Sequence, residues 1–330
     1  MSMLETLNLT ASNIAESAIS GLLPVAKPKG MTSKDVGRML ERKLGKIKMG
    51  HVGTLDPIAE GVLPILIGGA TKIQDILLEL PKVYEFEISF GFETTTLDIE
   101  GEVVSRVPVP LLSKELIDSA LIDFRGEILQ EPPLFSAIKF QGVPLYKYAR
   151  KDRSSELPEM ATLSRKVFIH EIELLGVSED TCRLRVCCSK GTYVRSIARD
   201  LAKKLGTVGT VTKLVRTRSS GIDLDRCVNP EAITSKAELR RSLIELEDLS
   251  GELLRWKSFL PGWTKRLMNG QKIEIRQELF SQGCVFGQMD SKDVFDQVLL
   301  VNHDGRVFGL GAIHHNAVQT VSVSMKRGLL

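Results

Sequence analysis

Gly50-His-Val-Gly-Thr-Leu-Asp56-Pro-Ile-Ala-Glu-Gly-Val-Leu-Pro-Ile-Leu-Ile-Gly-Gly-Ala-Thr-Lys72 is the stretch on which the reading of this 330-residue chain turns. Gly50 and Gly53 permit a tight backbone path and the close approach of a ligand. Pro57 disfavours the helical region for Asp56, so the carboxylate is held on an extended segment and can project from its loop. The GxxxxGK[ST] spacing of a phosphate-binding loop is missing. Taken alone, an aspartate before proline in a glycine-punctuated loop is more often a turn residue than a catalyst. The local reading is therefore a functional loop without a named chemistry.

Working outward, Met31-Thr-Ser followed by Lys34–Leu44 predicts a helix capped by Ser33 or Thr32 and stopped at Gly45. Val62–Ile67 reads as a short apolar strand, and Thr71–Leu80 as a helix ended by Pro81. Val83–Gly91 alternates as a strand with Tyr84, Phe86, Ile88 and Phe90 on one face; Gly101–Val107 is the expected partner. Leu111–Phe124 has helical periodicity, Leu134–Lys139 reads as a strand, and Leu145–Lys151 as a helix. Arg165–Val177 and Thr181–Cys188 predict a strand pair, Thr192–Leu205 a helix, Gly209–Arg216 a strand and Asn229–Leu249 a helix. Antiparallel pairs packed with helices define an α+β fold. After Gly251 the texture changes to short strands with turns at Asn269-Gly270 and Asp304-Gly305, as in a small β-rich domain.

No apolar run approaches the ~18 residues of a membrane span. Met1–Ser20 lacks the basic start and apolar block of a secretory signal, and carries Glu5 and Glu16 with no Lys or Arg; it reads as a poorly ordered extension. The five cysteines (Cys182, Cys187, Cys188, Cys227 and Cys284) form no CxxC pair, which argues against a zinc site and a disulfide framework. A cytoplasmic protein is expected. Net charge is only +3, but its distribution is uneven. Eight basic residues lie between Lys27 and Lys48 against Asp35 and Glu41, and ten between Arg183 and Arg218 against Asp200 alone. Lys139–Arg153 adds five more. A single charge run is usually a solvated face; three beside glycine-rich or aromatic motifs favour a polyanionic ligand such as nucleic acid.

The Gly50–Lys72 stretch resembles the catalytic motif of the TruB family of pseudouridine synthases, and further motifs of that family follow in its order. Lys27-Pro-Lys-Gly30 with Met-Thr-Ser is similar to its opening motif, and Lys82-Val-Tyr84 to its KxY motif. Glu131–Lys139 with Gly142–Arg150 resembles its RNA-gripping insertion, Gly191-Thr-Tyr193-Val-Arg195 its GTYxR motif, and Leu214-Val-Arg216 with Ser220-Gly221 its closing motif. The resemblance covers roughly Gly21–Ile222. Two departures stand out: Thr95 replaces an acidic residue in the run Thr94–Gly101, and Phe135 stands where tyrosine is frequent. The tail around Leu267–Gln271 and Val301–Gly311 is similar to a PUA-type RNA-binding domain.

With the change of texture near Gly251, the expected organisation is an extension over 1–20, a catalytic domain over 21–250 with an insertion at about 131–153, and a PUA-like β-barrel over 251–330. The resemblance implies isomerisation of the T-loop uridine of tRNA by base flipping, with Asp56 as nucleophile, no cofactor and no metal. Tyr84 would stack on the flipped uracil and assist removal of a proton, Tyr193 would contact the same nucleotide, and Leu214 would line the pocket. Arg195 would pair with Asp56, and His51 would fill the space that the base vacates. Without the family, Tyr84 would be a core aromatic, Leu214 core, and His51 an ordinary loop histidine. The expected partner is the T arm of tRNA, bound by a monomer without guide RNA or membrane. A tRNA-folding chaperone using the same surface is the alternative.

Overall fold

The computed structural model describes residues 19–151, 153–252, 257–259, 264–276, 297–301, 306–315 and 320–328, and the statements below concern those residues. Most of the expected extension and the Asp304-Gly305 turn lie outside them. The chain enters on β1 (Gly21–Lys27) and continues through β2 (Met49–His51), β3 (Glu60–Ile67), β4 (Lys82–Phe90), β5 (Phe92–Thr94) and β6 (Val103–Arg106). It proceeds through β7 (Gly126–Gln130), β8 (Lys139–Phe140), β9 (Val143–Pro144), β10 (Arg165–Val177), β11 (Thr181–Cys188), β12 (Gly209–Ser219) and β13 (Ile222–Asp223). Last come β14 (Lys257–Phe259), β15 (Ile273–Arg276), β16 (Gln297–Val301), β17 (Val307–His315) and β18 (Thr320–Gly328).

The main sheet runs β1-β3-β12-β4-β11-β10-β7, with β2 added to β3 and β13 to β12. β3 and β12 pair in parallel and the other pairings are antiparallel, so the sheet is mixed. Burial explains the sequence pattern along it. β3 is buried on both faces and reads as an unbroken apolar run, whereas β11 alternates buried and exposed. One face packs under helices Ser33–Leu44, Lys114–Leu121 and Val194–Lys204, with Leu63, Ile65, Phe86 and Ile88 in the shared core. The intervening residues Leu22, Val62 and Leu66 enter a second cluster with Ile73, Leu77, Leu246, Leu249, Val307 and Leu310. A second sheet, β14-β16-β17-β18-β15, thus abuts the first through Val307 and Leu310.

Helix Ser33–Leu44 is capped by Thr32: its hydroxyl accepts from Asp35 N–H at 3.1 Å, and the Asp35 carboxylate accepts from Thr32 N–H at 3.0 Å. Such a cap contributes about 1 kcal/mol. Helix Val194–Lys204 starts where the Gln130 side chain clamps Tyr193, accepting from its N–H at 2.8 Å and donating to its carbonyl at 3.1 Å.

Four expectations are corrected. Val103–Arg106 pairs with Phe92–Thr94, not with β4, because both edges of β4 are taken by β11 and β12. Leu134–Lys139 is mainly a turn; only Lys139–Phe140 is strand, folded onto Val143–Pro144 around Gln141 and Gly142, both at positive φ. The helix expected over Asn229–Leu249 is three pieces, Pro230–Ala232, Lys236–Ser242 and Leu246–Glu252. The break lies where Ile244 turns extended to exchange backbone hydrogen bonds with Leu22 on the free edge of β1. Thr71–Leu80 splits into a 3-10 turn, Gly68–Ile73, and a short helix, Gln74–Glu79.

Candidate active site

Asp56 lies in the connection from β2 to β3, and its two neighbours are both tied down. Leu55 N–H donates to Ser33 Oγ at 2.9 Å, and the Pro57 carbonyl accepts from Gly30 N–H at 2.8 Å. The start of the first helix therefore holds the loop on either side of the carboxylate. Asp56 itself stays 37% exposed, while the Arg195 side chain that meets it is 4% exposed.

Arg195 Nη2 stands 2.8 Å from Asp56 Oδ2. The same guanidinium donates to the Thr96 carbonyl at 2.8 Å and to the Phe135 carbonyl at 3.1 Å. Nη1 lies 3.6 Å from the carboxylate of Asp98, which is also 4% exposed. Asp98 is anchored in turn by the Thr96 hydroxyl at 2.6 Å and the Glu100 N–H at 3.0 Å. One buried cation thus joins the Asp56 loop, the run after β5 and the start of the insertion. Planar guanidinium suits such multidirectional bonding in a way that an ammonium does not.

Behind Asp56 lies a second buried cation. Arg216 on β12 donates from Nε to the Val62 carbonyl at 2.7 Å and from Nη2 to the Gly53 carbonyl at 2.9 Å. It is the cross-strand partner of Tyr84, with the guanidinium carbon 6.0 Å from the ring centroid. Burial raises the Tyr84 phenol above its ordinary pKa, opposed by the charge and hydrogen bond of Arg216, so the group is neutral at physiological pH. Lys27 and Lys82 flank the region, each lowered to about 8 chiefly by burial, with Arg216 contributing. Lys27 donates to the carbonyls of Pro28 (2.9 Å) and Met31 (2.5 Å), and Lys82 to those of Leu78 and Leu80.

The remaining expected residues fall nearby in the chain but in different settings. His51 bonds through Nε2 to Thr54 Oγ1 at 3.0 Å, and burial followed by the charges of Arg216 and Lys34 lowers its pKa. Leu214 is buried on β12 opposite Phe86. The ring of Tyr193 is covered by the Arg165 guanidinium at 4.7 Å. Sequence reading missed Asp98, Gln130, Arg165 and the side-chain role of Arg216. The run Thr94–Gly101 was visible as a motif, but only the fold shows that its aspartate is buried against an arginine 97 positions later.

This mixed sheet, with its aspartate loop beside a buried arginine, is a pseudouridine synthase fold. A solved H/ACA RNP bound to a substrate RNA containing 2′-deoxyuridine superposes with a TM-score of 0.68 at 18% identity, covering 94% of this chain and 85% of that one. The family described as TruB family pseudouridylate synthase (N-terminal domain) matches residues 40–194. The tRNA pseudouridine synthase B of Caldanaerobacter subterraneus subsp. tengcongensis is 44% identical over 265 residues, 78% of this chain and 87% of that protein. The protein of the same name from Staphylococcus saprophyticus is 40% identical over 276 residues, 79% and 88% respectively. The chain belongs to the TruB family.

Proposed function

We propose that this enzyme, an isomerase of tRNA uridine, acts on the uridine of the T loop, with Asp56 as its nucleophile and no cofactor. The observation that carries this reading is the Asp56–Arg195 pair at 2.8 Å, on a loop pinned at both neighbours. A carboxylate that is oriented by a buried guanidinium yet partly open to solvent suits attack on a nucleoside brought to it from outside. The reaction breaks the C1′–N1 bond, turns the uracil, joins C1′ to C5, and moves the C5 proton away while N1 gains one.

The target base must leave its stack to reach Asp56. Tyr84 stacks on the flipped base, and its phenol, held neutral, assists transfer of the C5 proton. Leu214 lines the pocket, Tyr193 contacts the same nucleotide and His51 fills the vacated space. The insertion over 131–153 grips the T arm. Its partly exposed Tyr146 carries the Arg150 guanidinium at 5.5 Å, a combination suited to base and phosphate together, whereas Tyr148 is buried within the insertion. The catalytic domain spans 21–250, and the region over 251–330 is a PUA-like domain that holds the acceptor side of the tRNA. The enzyme works as a monomer without guide RNA, in the cytoplasm.

The test is tritium release from tRNA labelled at uracil C5, comparing wild type with Asp56→Asn. Release by the wild type alone, with tRNA binding kept within a few fold, supports the reading. A folded, tRNA-binding wild type that releases nothing would replace it with an RNA-folding role for the same surface.

A further inference from the structure

Arg216 is the largest fully buried side chain among the described residues, at 1% exposure. Its charge is held by two carbonyl oxygens, and it belongs to none of the ion pairs of the described residues. An unpaired buried cation is expensive, and a neutral donor could tie two strands together at lower cost. Its contacts indicate why the charge and the planar fork are kept. Gly53 lies three residues before Asp56, and its carbonyl is bonded by the side chain of Arg216. Gly61 lies five residues after Asp56, and it packs against the backbone of Arg216 so closely that an added Cβ would meet the carbonyl oxygen at 2.3 Å. Both glycines have positive φ, 72° and 104°, which side chains rarely adopt. Tyr84 sits opposite on β4, under the same guanidinium.

We propose that Arg216 is a positioning residue of the isomerisation: it holds both ends of the loop that carries Asp56 and sets that loop against the ring of Tyr84. This rests on the assignment of Asp56 and Tyr84 given above. Arg216 acts through its neighbours, by fixing the separation between the attacking carboxylate and the stacking ring.

The experiment is single-turnover tritium release by Arg216→Lys and Arg216→Ala at saturating enzyme, with tRNA binding measured in parallel. Arg216→Lys keeps the charge but loses the fork, and its rate should fall about a hundredfold, the scale of a misplacement of about 1 Å. The dissociation constant for tRNA should stay within about threefold, because the residue is buried away from the RNA surface. Millimolar guanidinium should restore part of the rate of Arg216→Ala and leave that of Asp56→Asn unchanged. Should Arg216→Ala fail to fold, Arg216→Lys alone carries the test through the split between rate and binding. A rate loss below about threefold, a binding loss as large as the rate loss, or a folded Arg216→Ala that guanidinium does not rescue would each overturn the proposal. A wild type that releases no tritium overturns the reading of the whole site and this inference with it.

Discussion

Ser33 and Leu55, 22 residues apart, exchange two hydrogen bonds: Leu55 N–H donates to Ser33 Oγ at 2.9 Å, and that hydroxyl donates to the Leu55 carbonyl at 3.3 Å. A single hydroxyl thereby satisfies both backbone groups of the residue that precedes Asp56. The small helix-start residue is part of the site without touching a substrate.

Ser33→Ala is expected to leave the Leu55 N–H and C=O unpaired in a buried setting, at about 1–3 kcal/mol of stability. It should lower the single-turnover rate about tenfold and leave tRNA affinity unchanged. Thermal unfolding and tritium release on the same preparation check this. An unchanged rate would mean that Gly30 and Pro57 suffice to hold the loop.

Asp98→Ala removes the second carboxylate from Arg195. Removing one member of a buried charge pair costs about 3–5 kcal/mol, so a clear drop in melting temperature is expected. Asp98→Asn keeps the hydrogen bonds to Thr96 and Glu100 and should lose less stability, while still slowing the reaction because Arg195 is less well held. Equal rates for Asp98→Asn and wild type would confine Asp98 to folding.

Lys82 and Lys27 carry a pH signature. Each has a folded-state pKa of about 8 against an ordinary 10.5, so between those values the unfolded chain keeps a proton that the folded chain has released. The cost of burying the charge is present in full below pH 8 and fades as pH rises towards 10.5. Wild type should therefore gain stability across that window relative to Lys82→Met, in which the titrating group is gone. Denaturant titrations at pH 7.5 and about pH 9.5 test it; parallel curves for the two proteins would show that Lys82 titrates normally.

The second sheet should matter to both stability and binding. Val307 N–H donates to the Glu247 carboxylate at 3.0 Å, and Val307 and Leu310 cover Leu246 and Leu249. A chain ending at Ser250 is expected to melt earlier and to bind tRNA more weakly, yet to release tritium at saturating enzyme. A truncated protein that is folded but inactive when saturated would place part of the tail in the active site.

Much of this was legible from residues alone where the signal is local. The strand pair read at Arg165–Val177 and Thr181–Cys188 matches β10 and β11 to their terminal residues, and Met31-Thr-Ser marked the helix start, with Thr32 the cap of the two offered. The Asp56–Arg195 pairing was legible only through family resemblance, since nothing in local sequence joins residues 139 positions apart. Asp98 and Arg216 were illegible as site members because a charged residue in a strand or turn looks solvated until the fold buries it. The false long helix over Asn229–Leu249 has the same origin: its periodicity is real, but the unpaired edge of β1 competes for Ile244 and wins.

The parallel pairing of β12 with β3 has a consequence for biosynthesis. Val215 and Arg216 register with Glu60 and Gly61, so the strand that completes the sheet beside the aspartate loop is made more than 150 residues after it. Such distant pairings fold slowly, since a long loop must close before contacts reward it. On the ribosome, the sheet beside the aspartate loop is therefore complete only once the nascent chain has extended past Ser219.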